Sequence, residues 1–236
     1  LQQKGMAWET DAAVDFDAAV HKAIQDAAIE QSLFLGTTRG EAPDLVGTGR
    51  RNANLMALAP CANNASITGT SPGIDMWKAN AFAHRTRAGT HYIKNQNLEH
   101  LLEMLGQNTD DVWQDIVLNN GSVQHLSILT EHERLVFRTA IETNQMWTVK
   151  HAAARQKNVC QGQSVNLFFP PKATRAYVNR VHLAAWEMGL KGLYYYRTEA
   201  RNRAESVSVK KERVALLDAV PVPAEADDAD CLACHG

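Results

Sequence analysis

The sequence predicts an α/β protein. Three observations carry that assignment. "SVNLFF", "KATRAYVNRVHLAAWEMGL" and "KGLYYYRT" read as strand, helix and strand with short links, which is a βαβ unit and gives a parallel, right-handed pair. "FAHRTRAGTHYIKN" alternates around Ala88-Gly89 in the manner of a hairpin. Long Ala-rich and Leu-rich stretches show helical spacing.

Taken in order, residues 11–35 place Phe16, Val20, Ile24, Ala27 and Phe34 at near-helical spacing, with acids in the first turn. This predicts an amphipathic helix whose apolar stripe faces the core. "GTTRGEAPDLVGTGRRN" is a loop dense in Gly, Thr and Pro. It leads into "ANLMALAP", an apolar run short enough for a buried strand ending at Pro60. After the hairpin, residues 97–156 read as helices broken near Gly106 and Gly121. One of them opens on "TEHERLVF", where Thr130 as N-cap and Glu133 three residues on predict a capping box. The run "SVNLFF" closes at Pro170-Pro171, and the following helix should bury Tyr177, Val181, Ala184 and Met188 before Gly189 stops it. After Thr198 the aromatic residues disappear. Interspersed charge, Pro221, Pro223 and a run of acids predict a flexible tail. The chain divides into residues 1–198, folded, and 199–236, tail.

The bulk composition excludes several classes. At 45% hydrophobic and 21% charged, the chain is an ordinary globular protein. A net charge of −2 gives no basic surface for nucleic acid or membrane. No apolar run approaches the roughly 18–20 residues that span a bilayer. Four cysteines, Cys61, Cys160, Cys231 and Cys234, are too sparse for a secreted disulfide scaffold, so a reducing, cytoplasmic setting is expected. The chain opens on Leu with no signal pattern, which points to a piece of something larger.

The terminal "DADCLACHG" holds Cys231 and Cys234 in a C-x-x-C at the frayed end of the chain. Half a zinc site would need two further ligands nearby, and no second C-x-x-C or H-x-x-x-H exists. A thioredoxin-like site would open a helix, and here nothing follows. A redox pair on a swinging arm, or two exposed cysteines without a role, complete the alternatives. The arm is long enough: the ~33 residues from Thr198 to Cys231 span roughly 30 Å as a flexible coil. The preceding acids keep the thiols from ionising easily, which suits a courier of electrons more than a strong oxidant.

Four stretches, "RRNANLMALAPCANNASITG", "VCQGQSVNLFFPP", "GLKGLYYYRT" and the terminal "CLACHG", resemble in their order the C-terminal part of the large, catalytic subunit of class I ribonucleotide reductase. The resemblance implies that residues 1–198 form the C-terminal part of that family's ten-stranded α/β barrel. Pro60, Cys61, Ala62, Asn63 and Asn64 match its substrate-phosphate loop. Backbone amides at a strand-to-helix turn and small side chains suit an anion there, although Cys61 replaces a hydroxyl residue. Tyr194 and Tyr195 match the stacked pair that carries an oxidising equivalent to an active-site cysteine. Neighbouring side chains on a regular strand face opposite sides, so stacking requires the strand to bend or end at Tyr194. Tyr196 is a third candidate. Cys231 and Cys234 match the terminal pair that reduces the active-site disulfide and is itself reduced by thioredoxin or glutaredoxin.

The family's thiyl cysteine, its two reducing cysteines and its effector sites lie upstream of these motifs, and neither Cys61 nor Cys160 matches one of them. The resemblance therefore implies an enzyme active only when completed by an N-terminal part. Its partners are then that part, a small radical-generating subunit, thioredoxin or glutaredoxin and a ribonucleoside diphosphate, with an oligomer of large subunits expected. No cofactor is expected on this chain itself. A metal and tyrosyl radical cofactor is expected in the small subunit, and ATP or dATP effectors on the upstream part. A non-catalytic binding or redox-carrier domain derived from the same fold is the alternative.

Overall fold

The computed structural model describes residues 1–71, 73–86 and 89–198. Within them lie seven α-helices and four short strands. Helix α1 (Asp11–Arg39) starts at Thr10, whose side chain caps the Ala13 amide. It is followed by α2 (Ala62–Thr68), the antiparallel hairpin β1 (Ala81–Thr86) and β2 (Gly89–Lys94), then α3 (Gln96–Met104), α4 (Asp110–Leu118), α5 (Glu131–Val136) and α6 (Gln145–Gln156). Strand β3 (Leu167–Phe169), helix α7 (Arg175–Glu187) and strand β4 (Tyr196–Thr198) close the described region. β3 and β4 pair in parallel, Leu167 opposite Tyr196 and Phe169 opposite Thr198, across the α7 crossover. The described residues thus carry two two-stranded sheets, one antiparallel and one parallel.

Most of the predicted punctuation is present. Gly106 and Gly121 sit at φ 65° and 78°, the left-handed region that stops a helix. Thr130 and Glu133 form the capping box, each side chain bonded to the other's backbone amide. Thr174 caps α7 by accepting from the Tyr177 amide. The two-residue link between β1 and β2 lies outside the described residues.

Three expectations are corrected. The first concerns α1. The stripe of Phe16, Val20, Ile24, Ala27 and Phe34 is exposed, and the helix buries Ala13, Val14, His21, Ser32 and Gly36 instead. The reason is electrostatic. Asp17 lies on the inward face and accepts hydrogen bonds from His151 Nδ1 at 2.9 Å and Arg155 Nη1 at 2.6 Å, both on α6, with His21 Nδ1 3.2 Å away. Burial alone would push the Asp17 carboxyl up. The bonds from His151 and His21 and the Arg155 charge outweigh it and hold the group well below the usual carboxylate range. Leaving one partner of such a buried pair uncompensated costs about 3–5 kcal/mol. The ion pair holds this face of α1 against α6, and the apolar stripe lies at the surface of this chain.

The second correction is that "ANLMALAP" forms no buried strand. Residues 53–60 are exposed or half-buried. They run alongside residues 161–164 through a single parallel bridge, Leu58 with Gln163. The third is that both strands of the βαβ unit are three residues long, and Met188 at the end of α7 is exposed rather than buried.

Two apolar clusters organise the packing. One gathers Ala81, Leu98, Leu102, Trp113, Ile116, Val123 and Phe137 from β1 and α3–α5. The other joins Val149, Leu167, Phe169, Val181 and Ala185 from α6, β3 and α7. Between the turn after α2 and β3, Asp75 is 7% exposed and accepts from Asn166 Nδ2 at 2.6 Å and from the Asn166 amide at 3.3 Å. Desolvation pushes its carboxyl up to about 6, against relief from the Asn166 bonds and the Arg155 and Arg197 charges. A carboxyl raised on folding stabilises fully below its unfolded value of 3.8, and that contribution is lost as pH rises through about 6. Asp75→Asn keeps the acceptor and removes the charge. Between about pH 4 and pH 7 the wild-type stability should fall by a component absent from D75N, on the order of 3 kcal/mol. Chemical denaturation of both proteins across that range measures it, and parallel curves would refute it.

Candidate functional site

The site is built on residues 160–169. Cys160 Sγ accepts from the Leu55 and Met56 amides, both at 3.1 Å, and donates to Met56 O at 3.2 Å. Burial alone would push this thiol up, but the amides of Met56 and Leu55 and the nearby Lys191 outweigh it and lower it. Leu58 then donates to Gly162 O and accepts from Ser164 N. Gln163 takes the Arg155 guanidinium at 3.0 Å, and Asn166 takes Asp75. The strand so fixed receives the tyrosine segment: Tyr194 N donates to Val165 O at 2.8 Å, and Leu167 N donates to Tyr195 O at 2.9 Å.

This register solves the problem of facing. β4 begins only at Tyr196, so Tyr194 and Tyr195 precede the regular strand. Their rings lie 4.0 Å apart between centroids with a 48° tilt, and the Tyr194 hydroxyl donates to the Tyr195 hydroxyl at 3.3 Å. Both rings are roughly half exposed. Tyr196 is directed elsewhere. It stacks on Phe169 at 5.0 Å and 20°, and it borders an open cavity of about 400 Å³ lined by Ala173, Arg175, Val178, Asn179 and His182. The guanidinium of Arg197 sits 5.1 Å from the Tyr195 ring centroid. No sequence signal singled out Arg197 or Asp75.

The segment Pro60–Asn64 forms the entry to α2. Cys61 is its N-cap residue, with φ −129° and no capping bond from the thiol. The thiol is exposed and turns back toward Ala59 O at 3.6 Å. The first α-helical bond runs from Ala65 N to Cys61 O, so the amides of residues 62–64 precede the helical ladder. Asn64 is exposed. The segment is tethered on both sides to residues 160–169, through Met56 and Leu58 before it and through Asp75 after it. Loop and tyrosine pair therefore hang from one stretch of chain. Cys231 and Cys234 lie outside the described residues. Among the described residues no group of His, Cys, Asp or Glu is arranged to hold a metal ion, and no helix is long and apolar enough to cross a membrane.

Comparison with known proteins identifies the family. Residues 43–196 match the family described as ribonucleotide reductase, barrel domain. The putative ribonucleoside-diphosphate reductase large subunit of Frog virus 3 (isolate Goorha) is 40% identical over 236 residues, covering all of this chain and 40% of that protein. The ribonucleoside-diphosphate reductase large subunit of Invertebrate iridescent virus 3 is 39% identical over 240 residues, covering 100% of this chain and 37% of its own length. Among solved structures, the Actinobacillus ureae class Id ribonucleotide reductase alpha subunit superposes with a TM-score of 0.77 at 35% identity, covering 86% of this chain and 37% of that one. The chain thus spans about two fifths of the length of these relatives. With a family match over residues 43–196, the chain belongs to the ribonucleotide reductase barrel-domain family.

Proposed function

We propose that this chain is the C-terminal part of a ribonucleoside-diphosphate reductase large subunit, and that it works when joined by the upstream part of that subunit. In this reading residues 60–64 hold the substrate diphosphate, Tyr194 and Tyr195 relay an oxidising equivalent, and Cys231 with Cys234 carries electrons in from thioredoxin or glutaredoxin. The upstream part supplies the thiyl cysteine, the two reducing cysteines and the effector sites. A small subunit supplies the radical, so this chain needs no cofactor of its own. The setting is the cytoplasm, and the large subunits associate.

The observation that carries the reading is the tyrosine pair. One exchange between the rings is balanced within the pair. A Tyr194 phenoxyl takes an electron and a proton from the Tyr195 phenol, so one O–H bond breaks and one forms. The 3.3 Å hydroxyl separation suits that exchange. The exposed apolar stripe of α1, with Phe16, Val20, Ile24 and Phe34, supports a completing part, because exposed large apolar side chains on one helix face offer a surface for a partner.

Tyr194→Phe or Tyr195→Phe should abolish turnover of the completed enzyme, a loss of at least about 10³-fold, while leaving the thermal midpoint unchanged, since phenylalanine packs alike but is not oxidised at accessible potential. Normal turnover in both would return the pair to packing. At the loop, Cys61→Ser should be tolerated. Ala62→Pro should weaken diphosphate binding without unfolding α2, because residue 62 is the first helical position, where proline fits and only an amide donor is lost. Isothermal titration with a ribonucleoside diphosphate on the completed enzyme reads both. An inactive C61S beside a normal A62P would contradict the amide reading.

For the tail, Cys231→Ser with Cys234→Ser should stall thioredoxin-driven turnover after one cycle and leave turnover with dithiothreitol intact. A small dithiol diffuses into a buried site, whereas a protein reductant needs a courier with one attacking and one resolving thiol. A zinc site would instead lose metal and stability and show equal rates with both reductants. Undiminished thioredoxin-driven turnover would remove the courier role.

A further inference from the structure

We propose that Arg197 is a positioning residue of the tyrosine pair, holding the Tyr195 ring against Tyr194 and disfavouring loss of its electron ahead of its proton. The inference rests on the relay reading above. Arg197 is fixed by the ladder, opposite Phe168 in the β3–β4 register. It stands two residues beyond Tyr195, inside the regular strand that follows the pair. Its guanidinium carbon is 5.1 Å from the Tyr195 centroid, within the range of an attractive cation–π contact. Its Nε is buried with no hydrogen-bond partner among the described residues, so the ring face is a substantial part of what the guanidinium meets on that side. The charge is felt as far as Asp75, which it helps to keep ionised.

The consequence follows from charge. A neutral tyrosine presents a negative ring face, which attracts the guanidinium and orients the ring. Removal of an electron alone would place a cation against a cation at that distance, which is repulsive. Removal of a hydrogen-atom equivalent leaves the ring neutral. In the exchange with Tyr194, the Tyr195 O–H bond breaks, a Tyr194 O–H bond forms, and one electron moves with the proton. Neither residue changes net charge, so Arg197 does not oppose this step. It opposes the electron-only loss that would leave a stranded radical cation at a half-exposed site. Arg197 thus acts on the oxidation of Tyr195 through the ring face, by disfavouring the electron-first route.

The test combines a probe on the full chain with turnover of the completed enzyme. Trifluorotyrosine incorporated at position 195 reports its own ionisation by fluorine resonance. Arg197→Gln should raise that midpoint by about half a pH unit, because a nearby cation favours phenolate, and Arg197→Lys should restore most of the shift. In the completed enzyme R197Q should lower turnover about tenfold with KM unchanged, and R197K should recover it. Circular dichroism of each variant establishes that it is folded. An unmoved probe midpoint in R197Q overturns the contact and the proposal with it. A shifted midpoint with full R197Q turnover, in a preparation where Y195F is inactive, overturns the proposal and leaves the relay standing. Full turnover in Y195F overturns the relay reading itself, whatever R197Q does.

Discussion

The backbone of residues 160–169 is hydrogen-bonded to several separate parts of the chain, and the arrangement of the site depends on it. On one side lie Met56 and Leu58, on another Tyr194 and Tyr195, on a third Asp75, and on a fourth the Gln145 side chain, whose Oε1 accepts from Phe168 N at 3.0 Å. Each such bond contributes only about 1 kcal/mol net, yet leaving one of these buried groups unpaired costs more than making the bond returns. Val165, Leu167 and Phe169 are almost fully buried, so water cannot substitute for a lost partner. The stretch is therefore locked in register. Both faces are buried here, so a shift by one residue would exchange the side chains of the two faces and break the Asp75–Asn166 contact together with the tyrosine pairing.

That lock explains what could be read along the sequence and what could not. The β3–α7–β4 unit was legible because its punctuation is local: Pro170-Pro171 ends a strand, Thr174 caps a helix, and Gly189, at φ 79°, stops it. The capping box at Thr130 was legible for the same reason. The face of α1 was not. Its orientation is set by His151 and Arg155, more than 130 positions away, and no periodicity within 11–35 carries that information. The apolar stripe there is real, but it belongs to a surface left open in this chain.

The segment 53–60 failed for a related reason. An apolar run shows that a strand is possible, but pairing needs a neighbour, and here the neighbour contacts it at one bridge. Cys160 drew no role from its motif, yet its sulfur accepts two amides and thereby ties 55–56 to the lead-in of β3. A small, polarisable atom that both donates and accepts fits this corner, and nothing in "NVCQGQS" announces it. Asp75 is equally silent in sequence, a single acid in "GIDMW". Its weight comes from burial beside Asn166 and the fields of two arginines.

The tyrosine pair shows how a tension in the sequence can be resolved by where an element starts. Within a regular strand, Tyr194 and Tyr195 would point to opposite faces, and their rings could not meet. Had β4 begun two residues earlier, the ladder would have separated them. Instead their main chains already bond to Val165 and Leu167 while the regular strand starts only at Tyr196. Backbone anchoring and side-chain freedom are thus divided along the chain: 194–195 are held by their amides and carbonyls but turn both rings to one side, and 196–198 obey the alternation. The alternation then sends Tyr196 to Phe169 and leaves Arg197 beside the Tyr195 ring. A strand start at Tyr196 is the condition under which one short sequence, "YYYRT", yields a stacked pair, a core contact and a cation over the pair.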